Sequence, residues 1–398
     1  MFFISTLDKQ MSNKFFDMET TLAKTTLSET KHSGTKLSWF SRVKNRFRRS
    51  IAKRPTIAPV PQHLVVPPSS VMISSQPKTW YDELDVMSGN VRIHVGRWNV
   101  EGATKTALLV HGLTANHICW KVIAEKLQAD GVNVVAVDLR GRGRSDKPRG
   151  PYGLDGHLPD MVNVVNALGL NAPGREKPVF IGHSLGAAIG MYFAWKHPEY
   201  ISKLVLMDAG APISPISMLK AYFVIRKSVN RLDTIFESRE AYISQMRENP
   251  VLQPWHPAIE EFINYDLEDV GEGRVRSSVP RYAIEAEYNS VGSSLSILEI
   301  FKNNIFHPIS QLRKFRNVLK MQIINFPYSD FRMPVLAIGA GNYNVMPGDE
   351  LLPPKSLEYL KERIPLCTTV TVPDTNHYTI LFADSPVRDA ALRDFILG

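Results

Sequence analysis

The sequence contains few cysteines and no long hydrophobic run. Its 398 residues include only two cysteines, Cys119 and Cys367, and these do not form the spacing of a metal-binding or redox motif. No stretch of about 18 consecutive apolar residues is present, so the sequence does not predict a membrane-spanning helix. With 44% hydrophobic and 22% charged residues, the composition is typical of a soluble globular protein that does not depend on disulfides.

Residues 55–398 carry no net charge. Residues 1–54 contain twelve basic and four acidic side chains, whereas residues 55–398 contain 35 of each, so the first segment accounts for the whole net charge of +8. Within it, residues 36–54 place aromatic and aliphatic side chains at helical spacing between arginines and lysines, a pattern compatible with an anionic membrane surface. No nucleic-acid-binding module accompanies this charge, so we do not expect a nucleic-acid partner.

Residues 1–78 also lack the pattern of a folded domain. Residues 1–35 are rich in Ser, Thr and Lys, and they have neither periodic apolar residues nor the apolar centre of a secretory signal. Six prolines follow in a segment that we interpret as a linker: Pro55, Pro59, Pro61, Pro67, Pro68 and Pro77. We therefore predict a disordered basic tail and a proline-rich linker in a cytoplasmic protein. For the amphipathic part of the tail three alternatives stay open: a solvated segment, a helix docked on the domain, or peripheral membrane contact.

The remaining sequence alternates short apolar runs with amphipathic helical patterns. Two strand-like segments around Gly89 predict an antiparallel hairpin. The apolar runs that follow lie at residues 107–110, 132–137, 179–181 and 204–207. Continuous apolar runs separated by amphipathic helices predict a parallel sheet that is covered on both faces. The predicted fold class is therefore α/β, with helices on both faces of a mainly parallel sheet.

This alternation is interrupted after the last of these runs. Residues 212–332 are mostly helical in pattern, and strand patterns return only at 335–338 and 369–372. Inserted segments at the ends of sheet strands commonly form lids over a pocket, so we predict a core in two parts, 79–211 and 333–398, separated by a helical cap. We expect a few of the aromatic residues of this insertion to line an apolar acyl pocket: Tyr222, Phe223, Phe236, Tyr242, Trp255, Phe262, Tyr265, Tyr282, Tyr288, Phe301 and Phe306.

The most informative stretch is Gly-His-Ser-Leu-Gly at residues 182–186. It follows an apolar run and precedes a helical segment rich in small residues, which is the context that a nucleophile elbow requires. A strand that turns directly into a helix holds Ser184 in a strained conformation with its hydroxyl exposed. The crowded turn requires small neighbours, here Gly182 and Gly186. We therefore predict that Ser184 is a nucleophile.

Four motifs together resemble the α/β-hydrolase superfamily. In chain order they are His111-Gly112, the segment 138–148 that begins Asp-Leu-Arg-Gly, the elbow at 182–186, and Asn376-His377. The resemblance covers about residues 80–211 and 333–398. It implies an eight-stranded, mainly parallel sheet, a cap domain in the position of the insertion, and the chain order nucleophile, acid, histidine.

The resemblance also implies catalytic roles for residues at the strand ends. A serine hydroxyl is a weak nucleophile until a base removes its proton, and His377 is the expected base for Ser184. The backbone N–H groups of Leu113 and Leu185 are expected to form the oxyanion hole.

Other residues near these motifs are expected to be structural. We expect Gly112 to give its loop a conformation that other residues resist, and His111 to organise that loop. His183 is expected to point away from the site, and Arg140 to form a structural ion pair. Arg142 stands where many members of the superfamily carry histidine, with no evident consequence.

The position of the triad acid departs from the usual family pattern. Most members place an aspartate after the strand that corresponds to residues 335–338, where this chain has Asn344. Some members place the acid at the end of the preceding strand, where Asp208 lies. We predict Asp208, because the acid must stabilise a charged imidazolium on His377. The alternatives left open are Asn344, Asp349, Glu350 and Asp374.

The sequence therefore predicts a serine hydrolase that cleaves a carboxylic ester or thioester by acyl transfer. The expected substrate is a small-molecule ester with an apolar acyl part, and the chemistry requires no cofactor or metal ion. The alternative is a ligand-binding or receptor-like protein with weak or no catalysis, which the missing aspartate at position 344 favours.

Overall fold

The computed structural model describes residues 78–212, 229–291, 326–345 and 347–398. All of these residues belong to one compact unit, Ser74–Gly398. The predicted basic tail and proline-rich linker lie outside the described residues, except for Lys78. Residues 213–228 and 292–325 of the predicted cap lie outside them as well.

Two expectations from composition are met within the described residues. Cys119 and Cys367 are both free thiols, the first buried and the second partly exposed. No described helix has both the length and the apolar character that crossing a bilayer requires.

The described residues contain ten strands in two sheets. They are β1 Thr79–Ser88, β2 Val91–Val100, β3 Thr106–Val110, β4 Asn133–Val137, β5 Val179–His183, β6 Lys203–Met207, β7 Leu267–Gly271, β8 Arg274–Ser277, β9 Val335–Ala340 and β10 Cys367–Val372. The larger sheet has eight strands in the order β1-β2-β4-β3-β5-β6-β9-β10. Strand β2 pairs antiparallel with β1 and β4, and all other neighbours pair parallel. The predicted eight-stranded, mainly parallel sheet is therefore confirmed.

Helices cover both faces of this sheet. The described α-helices are α1 Lys121–Ala129, α2 Gly153–Ala167, α3 Leu185–Lys196, α4 Arg239–Arg247, α5 Pro257–Tyr265, α6 Arg281–Val291, α7 Pro354–Arg363, α8 Thr379–Phe382 and α9 Pro386–Leu397. Along β3, Ala107 and Leu109 pack in a hydrophobic cluster with α1 and α9. Leu108 and Val110 pack in a second cluster with α2, α3 and α7. The continuous apolar run of β3 thus reflects burial on both sides, as its pattern predicted.

The insertion is less purely helical than the sequence predicted. Between α5 and α6, strands β7 and β8 form an antiparallel hairpin. The chain turns through Gly271, Glu272 and Gly273, which have φ values of 97°, 58° and 74°. The prediction missed this hairpin because its strands are only five and four residues long. The two glycines of the turn were the available signal, since glycine readily adopts positive φ.

Candidate active site

Ser184 lies at the sharp turn between β5 and α3. Its φ of 54° and ψ of −115° place it in a region that residues other than glycine rarely adopt. A Cβ atom on Gly182 would lie 2.2 Å from the carbonyl oxygen of Gly186, and one on Gly186 would lie 2.0 Å from the carbonyl oxygen of Val110. Both positions therefore require glycine. The turn has the strained geometry that the sequence predicted for it.

His377 and Asp208 meet at the same edge of the sheet. His377 lies between β10 and α8, and its Nδ1 is 2.7 Å from Oδ2 of Asp208, which directly follows β6. The other carboxylate oxygen, Oδ1, accepts a hydrogen bond from the backbone N–H of Ala340 at 2.9 Å. Because a carboxylate accepts, Nδ1 of His377 carries the proton and Nε2 is left as the basic nitrogen. Ser184 and His377 line one pocket.

Side chains hold the backbone of His377 on both sides. The Oδ1 atom of Asn344 accepts from its N–H at 3.0 Å, and Nε2 of His183 donates to its carbonyl at 2.8 Å. Asp349 accepts from the N–H of Asn344 at 2.6 Å. Asn344 and Asp349 thus position the histidine loop, whereas Asp374 is exposed on the preceding turn.

The expectation that His183 points away from the site is wrong. Its ring lies 4.5 Å from the ring of His377 between centroids, and it lines the pocket. Burial lowers the pKa of His183 well below its usual value, so the ring is neutral at pH 7. The single proton of the neutral ring is on Nε2, which donates to the carbonyl of His377. The Nδ1 atom therefore carries no proton, and it has no hydrogen-bond partner among the described residues. His183 therefore supports His377 and is not placed to act as a second base.

The loop after β3 lies directly against the elbow. Nδ1 of His111 donates to the carbonyl of Gly112 at 2.7 Å, and Nε2 accepts from the N–H of Leu139 at 3.0 Å. Burial lowers the pKa of His111 to about 4, so this neutral ring organises the loop as expected. The reason given for Gly112 is wrong, because its φ is not in the left-handed region. A Cβ there would instead lie 3.2 Å from Cβ of Ser184, so glycine permits a close approach.

The two residues predicted for the oxyanion hole lie on either side of Ser184. Leu113 lines the pocket beside it, and Leu185 follows it as the first residue of α3. The carbonyl of Leu113 accepts a hydrogen bond from Nε of Arg142 at 2.9 Å. This hydrogen bond fixes the orientation of the peptide group that follows Leu113. That peptide group is adjacent to the backbone N–H of Leu113, which is predicted to form part of the oxyanion hole.

Comparison with known families agrees with this geometry. The family model described as the α/β hydrolase fold matches residues 106–384. This chain belongs to the α/β-hydrolase family. Among curated proteins, 2-(acetamidomethylene)succinate hydrolase of Mesorhizobium japonicum is 28% identical over 38% of this chain and 54% of its own length. An uncharacterized protein of Mycobacterium tuberculosis is 31% identical over 31% of this chain and 34% of its own length. The chain therefore spans about a third to a half of the length of these relatives.

Solved α/β hydrolases share the fold over most of this chain. The crystal structure of E-2-(acetamidomethylene)succinate hydrolase has a TM-score of 0.60 and 21% identity, covering 80% of this chain and 100% of that one. The thioesterase domain from the curacin biosynthetic pathway has a TM-score of 0.55 and 19% identity, with the same coverage of both chains. At these identities the likeness shows the fold.

In this α/β hydrolase the pocket beside Ser184 is largely apolar. Its apolar walls include Met246, Val251, Leu252, Phe262, Ile263, Leu381 and Phe382. Of the aromatic residues that the sequence analysis named, Tyr242 and Phe262 line it. Two charged residues, Arg231 and Asp266, line it as well, and the sequence analysis named neither. The pocket therefore combines apolar walls with a few polar groups.

A buried ion pair joins the cap to the core. Nη1 of Arg142 donates to Oε1 of Glu287 on α6 at 2.8 Å, and the same oxygen is 2.6 Å from Nε2 of His157. The second oxygen of Glu287 accepts from the N–H of Gly153 at 2.8 Å. The two charged side chains are 0% and 2% exposed. Because Arg142 also donates to the carbonyl of Leu113, it connects α6 with the loop after β3, a consequence that the sequence did not reveal.

Replacement of Glu287 by glutamine is expected to lower the free energy of unfolding by about 3–5 kcal/mol at pH 7, because buried Arg142 loses its counter-charge. Burial alone would raise the pKa of Glu287, but His157 and Arg142 outweigh it and lower the pKa to about 2. Because this folded-state pKa lies below the ordinary value of 4.5, the stabilisation is present above about pH 4.5 and is lost as the pH falls toward 2. Urea denaturation of both proteins at pH 7 and at about pH 3 measures the difference.

Glu285→Gln provides a matched control on the same helix. Glu285 is half-buried and makes no ion pair with any described residue, so its replacement should change the free energy of unfolding by only about 0.5 kcal/mol. A Glu287→Gln variant as stable as the wild type at pH 7 would show that the buried pair contributes nothing.

One group of described residues outside the pocket has the composition of a metal site. The potential ligand atoms of Glu83, His94 and His117 all lie within 4.8 Å of one another. Nδ1 of His94 is 2.8 Å from Asp85, and Nδ1 of His117 is 3.0 Å from Asp138. Nε2 of His117 is also 3.0 Å from the hydroxyl of Tyr81, so both nitrogens of this ring already have hydrogen-bond partners, and we assign the group no metal.

Proposed function

We propose that this α/β hydrolase is a serine hydrolase that cleaves a carboxylic ester or thioester by acyl transfer. The observation that carries the proposal is the 2.7 Å contact between Nδ1 of His377 and Oδ2 of Asp208, with Ser184 on a strained turn of the same pocket. These three residues follow β5, β6 and β10, whose carboxyl ends lie at one edge of the sheet. The arrangement fits the roles of the Ser-His-Asp template.

In the acylation step, Nε2 of His377 takes the proton of the Ser184 hydroxyl as Oγ attacks the acyl carbon. Asp208 stabilises the imidazolium that forms. The negative charge that develops on the carbonyl oxygen is met by the backbone N–H groups of Leu113 and Leu185. The tetrahedral intermediate then collapses and its bond to the leaving oxygen or sulfur breaks. The imidazolium protonates the departing alkoxide or thiolate, and an acyl group remains on Ser184.

In the deacylation step, the same groups act on water. Nε2 of His377 removes a proton from a water molecule that attacks the acyl-enzyme, and the oxyanion is stabilised as before. Collapse of this second tetrahedral intermediate releases the carboxylic acid and returns the proton to Ser184. This sequence of steps requires no cofactor or metal ion.

The relatives support this proposal at a coarser level. One curated relative is named a 2-(acetamidomethylene)succinate hydrolase, and one structural neighbour is a thioesterase domain. These names describe those proteins, and their agreement favours hydrolysis without selecting the bond. The apolar pocket walls favour a substrate with an apolar part.

The receptor-like alternative rested on the absence of an aspartate at position 344. In the structure, Asn344 bonds to the backbone of His377, and Asp208 offers a carboxylate to its ring. The absence of an aspartate at position 344 therefore no longer supports a receptor-like function.

Reaction with a fluorophosphonate probe tests the proposed function. We expect one adduct per native chain, located on Ser184 by peptide mass spectrometry, and none on heat-denatured protein, because only the assembled site activates this hydroxyl. A panel of p-nitrophenyl esters and acyl thioesters then compares the two leaving groups. A folded protein that neither reacts with the probe nor hydrolyses any ester or thioester would contradict the proposal and favour a receptor-like protein.

A further inference from the structure

The pocket contains a cationic side chain that acyl transfer does not use. Arg231 lines the same pocket as Ser184 and is half-buried. Its guanidinium carbon lies 5.3 Å from the centre of the Tyr242 ring, and Nη1 contacts the sulfur of Met246. The Nε atom is buried and has no hydrogen-bond partner among the described residues. The direct contacts of this guanidinium are therefore an aromatic face and a thioether, neither of which carries a negative charge.

The packing of Leu232 places its neighbour Arg231 near the loop after β3, which carries Leu113. Leu232 is 3% exposed and forms a small hydrophobic cluster with Val279 and Ile284. Leu113, whose N–H is proposed for the oxyanion hole, packs against this cluster. The backbone that carries Arg231 is thus held against the loop where the reacting carbonyl group would bind.

The charge of Arg231 is not neutralised by an ion pair within the described part of the chain. Asp266 also lines the pocket, but its carboxylate accepts hydrogen bonds from the hydroxyl groups of Ser277 at 2.7 Å and Ser278 at 3.1 Å. Burial raises the pKa of Asp266 to about 6, although these two serines, Arg231 and Lys147 oppose the shift. An arginine stays protonated at any physiological pH, and this one interacts electrostatically with Asp266 without forming an ion pair in the described residues, so its charge is only partly compensated.

We propose that Arg231 binds a carboxylate of the substrate, so that the substrate class is esters or thioesters that also carry a carboxylate group. This inference rests on the function proposed above. The planar guanidinium presents paired N–H groups that match a carboxylate in a bidentate contact. The thioether of Met246 is a weak acceptor that a carboxylate readily replaces. The apolar walls would then contact the hydrocarbon part of the same molecule.

Two pairs of esters of matched size test this inference. In the first pair, mono-p-nitrophenyl glutarate carries the charge in the acyl part and p-nitrophenyl pentanoate is its uncharged match. In the second pair, 4-carboxyphenyl acetate carries the charge in the leaving group and 4-methylphenyl acetate is its match. The wild type should prefer the charged ester of one pair by about 10–100-fold in kcat/KM, the range expected for a hydrogen-bonded charge pair. The pair that shows the preference identifies the side of the ester that Arg231 contacts.

Substitution of Arg231 by methionine should reduce that charged-to-uncharged ratio to about one. Methionine keeps an unbranched apolar stem and removes the charge and the donors. Arg231→Lys, which keeps the charge and loses the paired N–H groups of the guanidinium, should give an intermediate ratio. Free glutarate should inhibit pentanoate hydrolysis competitively in the wild type, and this inhibition should weaken at least tenfold in Arg231→Met. Thermal unfolding of each variant shows whether it is folded.

Arg247→Met is the matched control. Arg247 lies in the cap on α4, and its guanidinium carbon is 5.4 Å from the centre of the Trp255 ring. It is not among the residues that line the pocket, and it pairs with Glu260. Its replacement should leave both ratios and the glutarate inhibition as in the wild type.

The outcomes separate this inference from the function on which it rests. If the wild type hydrolyses the uncharged esters but prefers neither charged ester, or if Arg231→Met lowers both members of a pair equally, the carboxylate subsite is refuted and the hydrolase remains. If the wild type hydrolyses none of the four esters and its Ser184 does not react with the probe, the proposed function itself fails.

Discussion

Substitution of Ser184 by alanine is expected to lower kcat for the best ester by about 10⁶-fold, the loss that removal of a triad nucleophile causes. The alanine variant cannot form an acyl-enzyme, so only pocket binding and oxyanion stabilisation remain to accelerate attack by water. Single-turnover and steady-state assays of p-nitrophenol release measure the effect. Fluorophosphonate labelling should disappear in the same variant.

Ser202→Ala is the control for this substitution. The hydroxyl of Ser202 donates to the carbonyl of Lys177, and the residue lies just before β6 and does not line the pocket. The control should keep wild-type turnover and labelling. Hydrolysis that persists in a folded Ser184→Ala protein would assign the chemistry to another group.

Replacement of Asp208 by asparagine is expected to lower kcat by about 10⁴-fold, as the same change does in the serine-protease template. The amide keeps the size of the side chain and an oxygen for the N–H of Ala340. It removes the charge that stabilises the imidazolium of His377, and it can turn its N–H₂ toward Nδ1 and so favour the wrong tautomer. Turnover measured across the pH range separates this loss from a simple shift of the pH optimum.

Asn344→Ala distinguishes the two candidate partners of His377. It removes one hydrogen bond to the backbone of His377 and leaves the ring contact with Asp208, so we expect at most about a tenfold loss of kcat. If Asp208→Asn kept near-wild-type turnover while Asn344→Ala lost several orders of magnitude, the assignment of the acid would be wrong.

Features that depend on local sequence were predictable. The apolar run of β3 and the Gly-x-Ser-x-Gly stretch each carry their signal within a few adjacent residues, because burial on two faces and a crowded turn act locally. Asp208 was predicted for a related reason. Side chains that follow parallel strands share one edge of the sheet, some members of the superfamily place the acid at this strand end, and the acid must carry a charge.

Contacts between residues that are distant in sequence and do not both follow sheet strands were not predictable. Arg142 and Glu287 are 145 positions apart, and each looks like an ordinary surface charge until the fold buries both. Arg231 was overlooked for the same reason, since charge near the end of a helical pattern usually indicates a solvated face. The direction of His183 depended on where the loop of His377 closes over the elbow.

The bridge that Arg142 makes has a consequence for motion. The guanidinium of Arg142 pairs with Glu287 on α6, and it also donates a hydrogen bond to the carbonyl of Leu113 in the loop after β3. Any movement that lifts α6 must break the buried pair, break the hydrogen bond to Leu113, or carry Leu113 along with the helix. Movement of α6 is therefore coupled to the loop that carries Leu113 beside the pocket.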